Sequence, residues 1–245
     1  MFIHNKWTKI HLNSKLTKSY VRGDRVHNPS IRKIERPDGR AVRRAQRAAQ
    51  LTDAALECIS TLGLRETTVQ DVAARAGMAV GSINQYFDSK EMLFTAVLRS
   101  LAEEFEAAWR VGVAAAGDDG ALRLRRFVEC YFAPSICQRK KIAVWFAFWG
   151  EVKARPQYRE VCAGHDRTHD RMLESLCDGL ADGGPGLSAA SAAKLVASTC
   201  HGLWLELLTG TDGLRRTDLE TLALRQLAAL YPRHASRLTG DADAG

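Results

Sequence analysis

The sequence predicts an all-α protein, with a small N-terminal head of three helices and a larger helical body. Three observations carry that expectation. From Ala41 onward apolar residues recur at steps of three and four, and the strict alternation of a half-buried strand is absent. Caps and breakers such as Gly63, Thr68, Gly77, Ser89, Pro156 and Ser188 fall where the periodic runs begin and end. Turn-forming stretches at 117–120 and 181–186 separate the long runs.

The elements follow in order. Residues 1–40 hold ten Lys and Arg against three Asp and Glu, show no sustained helical period, and are read as a basic, disordered arm. Such an arm either contacts phosphates or is a dispensable tail. A first helix spans about Arg40–Leu62, with Ala48, Leu51, Ala55, Ile59 and Leu62 on one face and Gly63 as its stop. Thr68 caps a second helix that ends before Gly77, a residue suited to the left-handed conformation that starts a sharp turn. A short third helix covers about Val80–Phe87. Ser89 opens a long fourth helix, in which Leu93, Val97, Leu101 and Phe105 repeat every four residues. Further helices are expected at about 121–135, interrupted near Pro134, and at about 138–154, 157–180, 188–209 and 218–230.

Composition narrows the function. The chain has 245 residues, 46% hydrophobic and 26% charged, which suits a globular protein with a sizeable core. The longest strongly apolar run, Ile142–Gly150, is too short to span a bilayer, and the N-terminus lacks the apolar stretch of a secretory signal. Six scattered cysteines without a CxxC pair read as reduced thiols in a cytoplasmic protein. The formal charge of +7 is the excess held by residues 1–40, so the rest of the chain is close to neutral. Glycine-rich phosphate loops, a nucleophile elbow and paired carboxylates are all missing. Neither an enzyme nor a bound cofactor is expected.

The segment Thr67–Leu93 carries the sharpest signal. Ala73, Gly77 and Ile83 stand at the A-x3-G-x5-I spacing of a DNA-reading helix-turn-helix. The small Ala73 lets the second helix approach the first, and Ile83 points back to Val69, Val72 and Ala76. Val80, Gly81, Asn84 and Gln85 then lie on the exposed face of the third helix, where Asn and Gln suit bidentate contacts to adenine in the major groove. Thr68, Ser82, Tyr86 and Lys90 are suited to phosphates.

From about Arg44 to Leu101 the chain resembles the TetR family of transcriptional repressors. The marks are Thr67-Thr68-Val69, Ala73, Ala76-Gly77, Gly81-Ser82, Tyr86-Phe87 and Ser89-Lys90-Glu91 with Leu93. The resemblance implies a DNA-binding domain over residues 41–100 and an effector-binding, dimerising domain over 101–245. It implies a phosphate clamp of Thr68, Ser82, Tyr86 and Lys90, a homodimer built on the last two helices, and a double-stranded, palindromic operator. Where the family commonly has an aromatic this chain has Asn84, and where it often has Lys this chain has Val80. The operator therefore stays unnamed.

In the body, Trp145, Phe148 and Trp149 share a predicted helix at i, i+3 and i+4, and Trp204 and Glu206 repeat the pairing of Trp with carboxylate. These five are the candidate effector liners, and rings beside a carboxylate suit an organic cation. Residues 145–149, 159–171 and 202–205 also resemble the choline-sensing repressors of glycine-betaine synthesis. The combined expectation is a dimeric repressor released from its operator by a small molecule. A regulator controlled by a protein partner is the alternative. His165 and His169 with Cys162, Asp166 and Asp170 could suit Zn²⁺, although an exposed polar face gives the same letters. Cys130 and Cys137 raise a redox switch in the same way.

Overall fold

A computed structural model describes residues 39–180, 187–210 and 213–241. The expected arm, but for its last two residues, and the 181–186 loop lie outside the described residues. The described residues form ten α-helices: α1 Gly39–Leu62, α2 Val69–Ala76, α3 Val80–Ile83, α4 Lys90–Ala115, α5 Gly120–Tyr131, α6 Arg139–Glu151, α7 Pro156–Asp178, α8 Ala189–Thr209, α9 Arg216–Leu230 and α10 Ala235–Thr239. A 3-10 turn, Pro232–His234, precedes the last, and no strand occurs among the described residues.

Local chemistry sets these boundaries. The Thr68 hydroxyl accepts from the Asp71 amide, and the Asp71 carboxylate accepts from the Thr68 amide, closing a reciprocal cap on α2. At its other end Gly77 sits at φ 63° and ψ 37°. The Met78 amide donates to the Ala73 carbonyl and the Gly77 amide to that of Ala74, the paired bonds of a Schellman stop. Ser89 accepts from the Met92 amide to open α4, and Ser188 from the Ser191 amide to open α8. Pro156 takes the first position of α7, where its missing N–H costs nothing.

Three expectations change. α5 stops at Tyr131, not near 135, because Pro134 disfavours helical backbone at the residue before it. The third helix is one α-helical turn. Beyond Ile83 the bonds from Gln85 to Ser82 and from Tyr86 to Ile83 tighten the chain into a turn, and the Phe87 amide closes on Ile83. The helix expected at about 218–230 is not the last, because Pro232–His234 forms the 3-10 turn and Ala235–Thr239 forms α10.

One contiguous core runs from Leu51 in α1 to Leu238 in α10. The helix α4 belongs to both parts of it. Leu93, Phe94 and Val97 pack in the head with Leu51, Val72, Ala73 and Ile83, whereas Phe105 and Trp109 pack in the body. The boundary expected at residue 100 thus lies inside a continuous helix. α6 also reaches the head. Lys140 pairs with Glu57 of α1, Lys141 with Glu104 of α4, and Arg65, between α1 and α2, with Glu151 at 2.7 Å.

Candidate functional site

The first site is the outer face of α2 and α3. Val80 and Gly81 of α3 are exposed, as are Asn84 and Gln85, which lie in the turn after α3 and not on the helix as expected, while Ile83 is buried beneath them and Phe87 half-buried. A side chain placed at Gly81 would meet nothing within 4 Å, so the backbone there is open to close approach. Ile83 packs where expected, with Val72 and Ala76 buried and Val69 partly so.

The four expected phosphate contacts differ in what they have to offer. Thr68 Oγ1 donates its proton to Asp71 Oδ2 at 2.6 Å, and Ser82 Oγ donates to the Ala79 carbonyl at 2.6 Å. Both hydroxyls therefore serve their own turns, and the Asp71 carboxylate, held below its usual range by the bonds from Thr68, adds negative charge beside them. Tyr86 is half-buried, with the Arg44 guanidinium 6.0 Å from its ring centre. Lys90 lies 5.2 Å from the Phe94 ring centre and reaches the Arg65 carbonyl at 3.4 Å, leaving ammonium protons available.

The second site is a cavity of about 360 Å³ in the body, enclosed by α4, α6, α7 and α8. Phe105, Trp145 and Trp204 are buried in its wall, and Trp149 is partly buried. Asp166, Asp170, Lys194 and Ser198 are exposed and form the mouth. Trp145 and Trp149 have ring centres 5.7 Å apart, and Trp149 meets His201 edge-on at 4.9 Å.

Of the five expected liners, Trp145, Trp149 and Trp204 border this cavity; Phe148 and Glu206 do not. Phe148 is fully buried against Tyr158, with ring centres 4.9 Å apart. Positions i+3 and i+4 differ by about 100° around a helix, so a wall that takes Trp145 and Trp149 turns Phe148 inward. Glu206 lies two residues from Trp204, about 200° around the helix, and is exposed on the other side. The carboxylates at the cavity are those of Asp166 and Asp170.

Histidines complete the wall. Burial, with His169 nearby, pulls both His165 and His201 down to about 4, so both rings are neutral at pH 7. His169 is buried and its pKa is lowered too, chiefly by that burial. Its Nδ1 meets Asp170 Oδ1 at 3.0 Å and its Nε2 meets the Tyr131 hydroxyl. With Nδ1–H donating to the carboxylate, Nε2 accepts from the phenol, whose own pKa burial pushes well up. Trp204 Nε1 donates to the Tyr131 carbonyl at 3.0 Å, so the same residue holds a ring of the cavity. The sequence marks His165 and His169 as possible metal ligands, whereas here they line the cavity, and their i, i+4 spacing on α7 is the signal for that shared face.

Among the described residues no three His, Cys, Asp or Glu converge as a metal site would require. All six cysteines are buried and unpaired, and burial pushes Cys130, Cys137 and Cys162 up to about 11, away from the thiolate that a redox switch needs. No helix among the described residues is long and apolar enough to cross a membrane.

Residues 51–97 match the model for bacterial regulatory proteins of the tetR family, and residues 120–232 match that for the C-terminal part of BetI-type transcriptional repressors. The HTH-type transcriptional regulator BetI of Burkholderia mallei is 34% identical over 186 residues, covering 76% of this chain and 91% of the relative. A transcriptional regulator from Pseudomonas aeruginosa PAO1 has a similar fold, with a TM-score of 0.68 at 24% identity over 79% of this chain and 94% of that one. Another, from Saccharomonospora viridis in complex with choline, has a TM-score of 0.64 at 19% identity over 76% and 96% of the two chains.

Proposed function

This chain belongs to the TetR family of bacterial regulatory proteins, with a BetI-type C-terminal region, and from that premise we propose that its body senses a small organic cation. The protein is a DNA-binding transcriptional regulator of a repressor type. In the finer reading residues 41–100 hold the operator and 101–245 hold the effector and the second subunit, in the cytoplasm. Val80, Gly81, Asn84 and Gln85 face the bases, and Tyr86 and Lys90 hold phosphates, with Thr68 and Ser82 shaping the turns that present them. Two heads related by two-fold symmetry reach half-sites about 34–36 Å, or a multiple, apart on a palindromic operator.

The observation that carries the effector reading is the cavity. Its volume falls in the range of small-molecule pockets, which favours a diffusible ligand over control by a docked protein. Indole faces attract a quaternary ammonium by about 0.5–2 kcal/mol each, neutral imidazoles do not repel it, and the mouth keeps a net negative charge because Lys194 offsets only one of its two carboxylates. The choline complex of the Saccharomonospora regulator makes choline the first ligand to try. An effector weakens DNA binding only by preferring the head arrangement that misses the operator.

Calorimetry tests the reading with choline and its uncharged isostere 3,3-dimethyl-1-butanol. The expected result is at least about tenfold tighter binding of the cation, from one or two cation–π contacts, with release of a selected operator duplex. Equal binding of the two compounds would refute the cationic effector.

A further inference from the structure

The proposed operator face is short of positive charge. From Thr68 to Lys90 the chain carries two cations, Arg75 and Lys90, against two carboxylates, Asp71 and Asp88. Two of its hydroxyls are engaged within their own turns. A duplex presents about one phosphate charge per 1.7 Å, and affinity for it depends on cations that displace condensed counterions. Asn84 and Gln85 supply base recognition but none of that attraction.

The first three turns of α1 have the opposite character. Between Gly39 and Gln50 no side chain is buried, and all but Ala48 are exposed. This stretch holds Arg40, Arg43, Arg44 and Arg47, and the first acidic residue of the helix is Asp53. Steps of three and four put these arginines on one stripe. The stripe runs toward the recognition segment. Arg44 stands over the Tyr86 ring, and Arg47 Nη1 donates to Gln50 Oε1 at 3.0 Å. Gln50 Nε2 in turn donates to the Ala76 carbonyl at 2.8 Å, at the turn between α2 and α3. Arg43 bonds its own helix at the Gly39 carbonyl, and among the described residues none of Arg43, Arg44 and Arg47 forms an ion pair.

We propose that this exposed half of α1 is a second DNA-contacting element, a stripe of arginines that neutralises operator phosphates beside the recognition helix, with Tyr86 and Gln50 setting its position. Burial does not account for a helix segment that buries nothing. A run of arginines without acids, anchored at two points to the motif that reads bases, matches the chemistry of a phosphate backbone. The inference rests on the operator-binding reading, and it assigns the salt-dependent part of the affinity to residues outside the helix-turn-helix.

The test uses the full-length dimer and a duplex recovered by selection from random DNA, beside a scrambled duplex of the same length. Binding is followed by fluorescence anisotropy from about 50 to about 200 mM KCl. Arg44→Ala/Arg47→Ala removes four cations per dimer and should lower the slope of log affinity against log salt by about 3–4. Wild type should then lose on the order of 100-fold more affinity than the variant over that range. The preference for selected over scrambled DNA should stay within about twofold, and Arg44→Lys/Arg47→Lys should restore the slope. Matching circular dichroism and melting of both variants tell a lost contact from a lost fold. An unchanged slope, or a changed base preference, would overturn the assignment. A wild-type dimer that prefers no duplex would instead sink the operator-binding reading itself.

Discussion

Lowering the pH from about 7 to about 5 should destabilise this protein through two histidines of the cavity wall. His165 lies against Phe105 and Trp145, and His201 against Tyr131, Trp149 and Trp204. Burial lowers both from 6.5 to about 4. A depressed histidine pKa means that the unfolded chain binds protons which the fold refuses. The stability these rings contribute is therefore complete above about 6.5 and drains away as the pH falls toward 4. At pH 5 each unfolded-state imidazole is almost fully protonated while each folded one is mostly neutral, a difference of about 2 kcal/mol per ring. For the pair that is about 3–4 kcal/mol, a large part of a typical domain's margin of roughly 5–15 kcal/mol.

The assay is urea unfolding of wild type and His165→Leu/His201→Leu at both pH values, at fixed protein concentration because the proposed dimer would link stability to it. Leucine keeps most of the volume and cannot be protonated. Wild type should lose about 3–4 kcal/mol more than the double variant between the two pH values. Equal losses would show that the histidines titrate alike in folded and unfolded chains, and the account of a neutral cavity wall would fail.

Three further outcomes are expected. Gly77→Ala forces a Cβ onto φ 63° where no atom lies within 4 Å, so its cost is conformational alone, about 1–2 kcal/mol by urea unfolding; a neutral result would refute the left-handed turn. Gln85→Ala should relax base choice at one or two operator positions in a selection experiment and leave the salt slope unchanged, whereas intact specificity would remove Gln85 from the reading face. Glu151→Gln breaks a pair whose Arg65 side chain is 78% exposed, so stability should fall by less than about 1 kcal/mol. Because that pair joins α6 to the head, the factor by which choline weakens DNA binding should shrink in an anisotropy titration. An unchanged factor would exclude the link from the coupling.

The head was legible because its turns are made by local chemistry. Thr68, Gly77 and Ser89 each fix a helix end through bonds to residues within five positions, and such bonds can be read off a linear sequence. The length of α3 was less legible, since the same letters suit an α-helical turn and the tighter one that follows Ile83. The cavity was half legible. Aromatics fall on several faces of α6, so spacing could name Trp145 and Trp149 but could not tell which way Phe148 turns. The approach of α7 and α8 decides that, and with it the appearance of His165, His201, Asp166 and Asp170 around one space. The charged links between α6 and the head join residues 83 and 86 positions apart and leave no periodic trace.

The six buried thiols have a practical meaning beyond the absence of a switch. A thiol reagent added to the folded protein finds no exposed target, so modification must wait for the structure to open. Cys58 then times the breathing of the head, and Cys130, Cys177 and Cys200 that of the body, while Cys162 reports on the wall of the cavity. The native chain carries its own set of clocks, and reading them one peptide at a time would show which region loosens first when an effector enters or DNA departs.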